Sequence, residues 1–447
     1  MRTPRALRPL GIPAYRWLAA ALVASVIGTG IWMVALVWQV VALDGGASEL
    51  SLIGSAAAVG MLVTILVGGA LADRLPQRRI LLVVESTRAI TVGAVAALSM
   101  AGMLQVWQLA LASFVGGAMG GLYYPAYSAL LPAVLPEDQL LAANGFEGMA
   151  RPVLGQAAGP ALASALIAMS SPGAALAVAA LTGVIAVCFL RALPQLPAQE
   201  RPQEGGRHPA MSLLIDVREG FRYMVRTAWL LGTLVFASLL ILLIIGPFEV
   251  LVPFAIKDQA GGGPQHHALV LAAFGIGGAA GSFAVASFKL PRRYLTVMLS
   301  LWMGGCVPLV VFGLTTQVWL MAVAAFAVGA AFNGGVVIWG TLLQRRVPKA
   351  MLGRVSSLDF FVSSAFMPVS MAVAGPVGLS LGLSTTFLIA GLVPTAIGLI
   401  VILAAKLTRD EIAHPLDAES TEPADTAELV VLPTESPDAA QPIPAAA

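Results

Sequence analysis

Twelve long apolar runs, separated by short clusters of charge, limit this chain to very few folds. In chain order they cover residues 17–43, 50–72, 79–101, 106–131, 141–169, 173–191, 229–253, 268–288, 293–314, 319–343, 355–379 and 383–405. A helix needs about 20 apolar residues to cross the hydrocarbon core of a bilayer, and the runs are of that order. They are too long for barrel strands and do not alternate apolar with polar residues. A soluble helical core would need polar faces, which these runs lack. Only 11% of the 447 residues are charged, whereas soluble domains carry roughly a quarter. Glycine (46) and proline (29) recur inside the runs, as membrane helices tolerate. The expected fold class is an all-α integral membrane protein with 12 transmembrane helices.

Arg2, Arg5, Arg8 and Arg16 precede the first run as in a signal peptide, but the apolar stretch is too long and no small-residue cleavage site ends it. It reads as a retained first helix. Cys188 and Cys306 lie in separate runs, so neither a disulfide framework nor a metal site is expected.

An even number of crossings puts both termini on one side. That side then collects 22 of the 25 Lys and Arg residues, the other only Lys257, and Arg88 and Arg151 fall inside runs. Positive charge marks the cytoplasmic face, so the expected placement is a multi-pass cell (inner) membrane protein with both termini cytoplasmic.

The chain divides into a cytoplasmic N-terminus (1–16), a six-helix half (17–191), a linker (192–228), a second six-helix half (229–405) and a tail (406–447). The linker is polar and proline-rich, but Leu213, Leu214, Val217, Phe221, Met224 and Val225 recur at helical spacing among charges. This predicts an amphipathic helix on the cytoplasmic surface. From residue 410 onward the tail has nine acidic residues and no Lys or Arg, a composition expected to be disordered.

The halves repeat each other. Gln105-Val106-Trp107 recurs as Gln317-Val318-Trp319, Trp17-Leu18 as Trp229-Leu230, and Leu130-Leu131 with Pro136 as Leu342-Leu343 with Pro348, all at an offset of 212. At that offset Glu147 falls on Asp359. Parallel six-helix repeats belong to one major transporter architecture.

Between the second and third runs stands Gly69-Ala70-Leu71-Ala72-Asp73-Arg74-Leu75-Pro76-Gln77-Arg78-Arg79. It resembles the loop motif of the major facilitator superfamily, with Pro76 and Gln77 as departures from the usual glycine and basic residue. The resemblance implies that Gly69, Asp73, Arg74, Arg78 and Arg79 latch the cytoplasmic side; the plainer alternative is that the arginines only set topology. The fifth run carries Gly155, Gly159 and Pro160, which resemble the fifth-helix motif of drug–proton antiporters in that superfamily. Pro125 to Pro132 running on to Asn144, and Gly353 to Ser357, resemble the bacterial enterobactin-exporter and macrolide-efflux subgroup. The resemblance spans about residues 15–405.

Ionisable groups within membrane helices are costly and are functional candidates by default. Glu85 with Arg88, and Glu147 with Arg151, are spaced for intrahelical ion pairs. They read as neutralised structural pairs or a cytoplasmic gate ahead of proton carriers. Asp359 has no basic residue one turn away, and Glu249 lies late in the seventh run between Pro247 and Pro253, toward the outer face. An unpaired carboxylate in a dry site can bind and release a proton near neutrality, so Glu249 and Asp359 are the proton-coupling candidates. In the family, helices 1, 4, 7 and 10 line the cavity. The resemblance therefore implies Trp32, Trp38, Gln39, Tyr123, Tyr124, Tyr127, Phe248, Asn333 and Trp339 as lining residues, unless some are interface anchors.

An enzyme is disfavoured. No glycine is followed by lysine, which removes a phosphate-binding GK[ST] loop, and His208, His266, His267 and His414 all lie outside the runs. The sequence reading is a secondary transporter, a proton-coupled exporter of a hydrophobic or amphiphilic small molecule by alternating access. It needs no cofactor beyond the proton gradient. Its expected partners are the bilayer, the solute and protons, with no nucleic acid and a monomeric state. Uptake, or a non-transporting sensor of the same fold, stands as the alternative.

Overall fold

The computed structural model describes residues 9–194, 209–288 and 290–416, with the side chains of residues 66–74 and of scattered other helical positions outside the description. Among the described residues twelve helices are long and apolar enough to cross a membrane. We label them α1 (Pro13–Ala42), α2 (Ala47–Arg74), α3 (Gln77–Met100), α4 (Val106–Val134), α5 (137–169), α6 (Pro172–Ala192), α7 (Ala228–Gln259), α8 (Pro264–Ser287), α9 (Tyr294–Leu314), α10 (Val318–Arg346), α11 (349–381) and α12 (Leu383–Ala404). A linker helix (Pro209–Arg226) precedes α7 and a terminal helix (Leu407–Ala413) follows α12. No strand occurs among the described residues.

Local chemistry sets several helix ends. Ser171 accepts the Ala174 amide at 3.2 Å and Pro172 occupies the first turn of α6. Gly102 (φ 68°) and Gly382 (φ 81°) take the left-handed backbone that turns the chain after α3 and after α11.

The two halves use the same helix pairings. In the first, α1 packs on α5 and α6, α2 on α4, and α3 on α4 and α6; in the second, α7 packs on α11 and α12, α8 on α10, and α9 on α10 and α12. The backbone contacts match as well. Gly60 of α2 lies against the Phe114 carbonyl and Gly117 of α4 against the Ala57 carbonyl, while Gly277 of α8 lies against Phe326 and Gly329 of α10 against Phe274. The α4 and α10 positions differ by 212 and the α2 and α8 positions by 217. The additional residues of the second half lie in and just after α7, which contains two π-helical turns, Pro247–Leu251 and Ala255–Gln259. Pro253 has no N–H to give the Glu249 carbonyl, and such a gap is a common seat for a π turn.

The halves meet along two seams, α2 with α11 and α5 with α8. On the first, the Gly375 amide donates to Ser51 Oγ at 2.7 Å and Met371 rests on Gly54. On the second, Gly275 lets α8 approach Gln156 and Pro152.

The tail does not begin where composition places it. Leu407–Ala413 is a helix, and Glu411 is fully buried at the N-terminus of α9. Its carboxylate accepts the amides of Leu295 (2.8 Å) and Thr296 (3.0 Å) and the Thr296 hydroxyl (2.6 Å). The neighbouring Asp410 pairs with Arg346, whose guanidinium carbon stands 4.5 Å from the Trp229 ring centre. Acidic composition hid this because a carboxylate on the free amides of a helix N-terminus is stabilised by the local dipole, whatever its surroundings in sequence. Residues 417–447 lie outside the described residues. Glu411→Ala strands the buried Leu295 amide and the partly buried Thr296 amide and hydroxyl, and each charged hydrogen bond is worth about 1.5–3 kcal/mol. The expected result is a clearly lower melting temperature in detergent, with Glu411→Gln intermediate; an unchanged melt would show that the terminal helix is undocked.

Candidate functional site

A cavity of about 440 Å³ lies within the helix bundle, lined by α1 to α8 and α11. Most of its wall is apolar: Trp32, Met33, Leu36 and Val37 of α1, Leu50 and Ile53 of α2, Phe248 of α7 and Met371 of α11. Tyr123 and Tyr124 of α4 form one end, and Tyr123 stacks on the buried Tyr127 at 5.9 Å between ring centres. Phe248 is braced by Phe274 at 4.9 Å.

Of the expected lining residues, Trp32, Tyr123, Tyr124 and Phe248 face the cavity and the rest do not. Gln39 is buried and accepts the Ser99 hydroxyl at 2.7 Å. Trp38 packs against the apolar core. Tyr127 lies behind Tyr123, and Asn333 donates to the Gly329 carbonyl of its own helix at 3.0 Å. Trp339 turns away to donate to Asp359 at 3.0 Å and to meet the ring of Trp229. The cavity sits mainly against the first half, so α10 contributes no lining residue among those described.

Polar groups enter this wall at few points. Glu249 sits in the first π turn of α7, and its side chain is exposed to the cavity. Among the described residues no cation pairs with it. Asp359, the other proton-coupling candidate, accepts from Trp339 and, at 3.4 Å, from Ser363, away from the cavity.

Glu85 and Arg88 form a wider network than an i,i+3 pair. They approach only to 3.9 Å, and Ser25 of α1 stands between them. Its hydroxyl donates to Glu85 at 2.6 Å, while Arg88 donates to the Ser25 carbonyl (2.6 Å), the Ser25 hydroxyl (3.1 Å) and the Thr29 hydroxyl (3.1 Å). Glu85 is buried and Arg88 lines the cavity. Glu147 and Arg151 do pair directly at 2.6 Å, and Arg151 also reaches the cavity wall.

Two polar groups were not legible as site residues. His267, expected outside the membrane, lies within α8, is 4% exposed, lines the cavity and has no partner on Nδ1. The apolar run starts at residue 268, yet Gly263 and Pro264 begin the helix earlier. Ser113 of α4 likewise lines the cavity with an unpartnered, buried hydroxyl. Apolar walls with a few isolated polar groups suit a bulky amphiphile.

The loop motif is partly visible. Arg78 donates to the Leu190 carbonyl (2.9 Å) and the Arg191 carbonyl (2.8 Å), so it closes the C-terminal end of α6. Arg79 is exposed. The side chains of Asp73, Arg74, Asn144 and Arg354, and the surroundings of Gly69 and Gly353, lie outside the description.

Gly155, Gly159 and Pro160 form the contact of α5 with α1. Gly30 of α1 lies against the Gly155 carbonyl and Pro160, and Gly159 lies against Gly30 and the Ile27 carbonyl. Residues Arg151–Ala158 are π-helical, with Pro152 in their first turn. A methyl group on Gly159 would stand 2.8 Å from both Gly30 Cα and Ile27 O. Gly159→Ala is therefore expected to cost about 1–3 kcal/mol, read as a lower melting temperature and reduced yield of monodisperse protein. Wild-type behaviour would mean that α1 and α5 are further apart.

A family model described as transmembrane secretion effector matches residues 4–433. The chain is 27% identical over 414 residues to the multidrug efflux pump Tap of Mycolicibacterium fortuitum, covering 89% of this chain and 96% of Tap. It is 26% identical over 395 residues to the enterobactin exporter EntS of Citrobacter koseri, covering 88% of this chain and 91% of that one. Among solved structures, the nucleoside transporter NupG matches with a TM-score of 0.65 at 15% identity, over 88% of this chain and 98% of NupG. A bacterial homologue of the lysosomal transporter Spinster, inward-facing and unoccupied, matches with a TM-score of 0.63 at 12% identity, over 92% and 98% of the two chains.

Proposed function

Because the chain belongs to the major facilitator superfamily, in its transmembrane secretion effector family, we propose that it exports a hydrophobic or amphiphilic small molecule in exchange for protons, by alternating access. Export is the activity in the names of both relatives described above. The observation that carries the coupling is Glu249, a carboxylate on the wall of a mostly apolar cavity with no cationic partner among the described residues. Arg88 and Arg151 also face that space, but each is engaged, by Ser25 and Thr29 or by Glu147.

In this reading a proton on Glu249 removes the charge and lets the cavity close dry around the carboxyl, since a buried, unpaired carboxylate is strongly disfavoured. Loss of the proton restores the charge and favours the state in which water reaches it. The solute lies against Trp32, Phe248 and Met371, with His267 and Ser113 offering hydrogen bonds. The moving seams are α2–α11 and α5–α8, where glycine contacts give smooth surfaces for sliding. We place both termini in the cytoplasm on the distribution of positive charge, and one chain holds one complete cavity.

Proton flux in everted, respiration-energised vesicles tests this, with macrolides, other amphiphilic drugs and siderophores as trial solutes. A solute is expected to dissipate the pH gradient in wild type and in Asp359→Asn, and not in Glu249→Gln. Asp359→Asn instead weakens one hydrogen bond and should cost about 1 kcal/mol of stability. Coupling that survives Glu249→Gln and disappears in Asp359→Asn would reverse the assignment.

A further inference from the structure

The linker helix shows one side to the protein and leaves another open. Gly220 and Met224 are buried, and the helix packs on α11 and α7. Its open side carries two adjacent rows at four-residue spacing. Arg218, Arg222 and Arg226 form one and are exposed; Phe221 (54% exposed) and Val225 (45% exposed) form the other. Arginines beside large apolar side chains, on a helix outside the spans, match an interface where hydrocarbon meets anionic headgroups.

The position along the membrane normal is fixed by the chain itself. Arg226 is two residues before Ala228, the first residue of α7, and Arg345 and Arg346 are the last two residues of α10. All three arginines line one open cleft with Tyr223, Thr227 and His414. Arg346 is committed to Asp410 and the Trp229 ring. Arg345 gives one N–H to the Leu416 carbonyl at 3.2 Å and is otherwise exposed, as is Arg226. The cleft thus stands where two spanning helices end, at headgroup depth, with donors of the kind that hold phosphate.

We propose that the linker helix and this cleft form a binding site for an anionic phospholipid, its phosphate held by Arg226 and Arg345 and its acyl chains lying along Phe221 and Val225. The acidic residues that follow Leu416 offer a competing occupant for the arginines, but an acidic segment leaves the exposed Phe221 and Val225 uncovered. A lipid satisfies both rows at once.

The test is native mass spectrometry of the full chain, released from detergent containing equal amounts of phosphatidylglycerol and phosphatidylcholine. Wild type is expected to retain phosphatidylglycerol preferentially. Arg226→Gln and Arg345→Gln should each lower that preference roughly fivefold, the weight of one interfacial arginine, and Arg226→Lys should keep most of it. Arg226 is exposed, so Arg226→Gln leaves the fold intact, which its melting temperature checks. Equal retention in wild type and Arg226→Gln overturns the proposal. So does a preference that emerges only in a full-length variant whose carboxylates after Leu416 are changed to amides, because the tail is then the occupant.

Discussion

Inside a bilayer the hydrophobic effect does not press one helix against another, since lipid is as apolar as leucine. Helix contacts here must come from close fit, and the structure supplies it through backbone laid on backbone. Gly60, Gly117, Gly277 and Gly329 each lie against a carbonyl of the facing helix. Such contacts admit no side chain, so they fix register as well as proximity. The rest follows from them: α2 is tied to α4 and α8 to α10, and the tied pairs present α2 to α11 and α5 to α8 across the middle of the molecule. The cavity is the space these pairings leave unfilled.

The fold was legible because its signals are long. Twelve apolar runs, arginine on one side and a constant offset of 212 are features that no short segment can imitate. The site was less so. Spacing brought Glu85 and Arg88 together but could not place Ser25, a residue of another helix, between them. Trp339 and Asn333 lie on a helix of the right number yet face their neighbours, because rotation about a helix axis is set by packing. His267 was hidden by polarity: a run is bounded where its hydropathy falls, and His266 with Pro264 ends the run before the helix ends. The shift from 212 to 217 in α8 was invisible for a similar reason, since it falls in a stretch without a recognisable repeat.

Charge is placed sparingly and to different ends. Arg88 and Arg151 face the cavity but are held by Ser25, Thr29 and Glu147, so the wall gains positive groups that already have partners. Among the described residues Glu249 has no such holder, and the π turn that carries it arises where Pro253 leaves a carbonyl without its donor.

The cap on α9 sets an order of assembly. Leu295 and Thr296 enter the membrane well before Glu411 is synthesised, and their amides are completed only by that residue. A ribosome that has finished α12 has made the twelve spanning helices described above but has not yet supplied the group that closes one of them. The second half matures last in time as well as in sequence, and a nascent chain arrested after residue 405 exposes an unfinished helix end at the membrane surface. Quality control that inspects that surface can tell a chain with Leu407–Ala413 docked from one that lacks it.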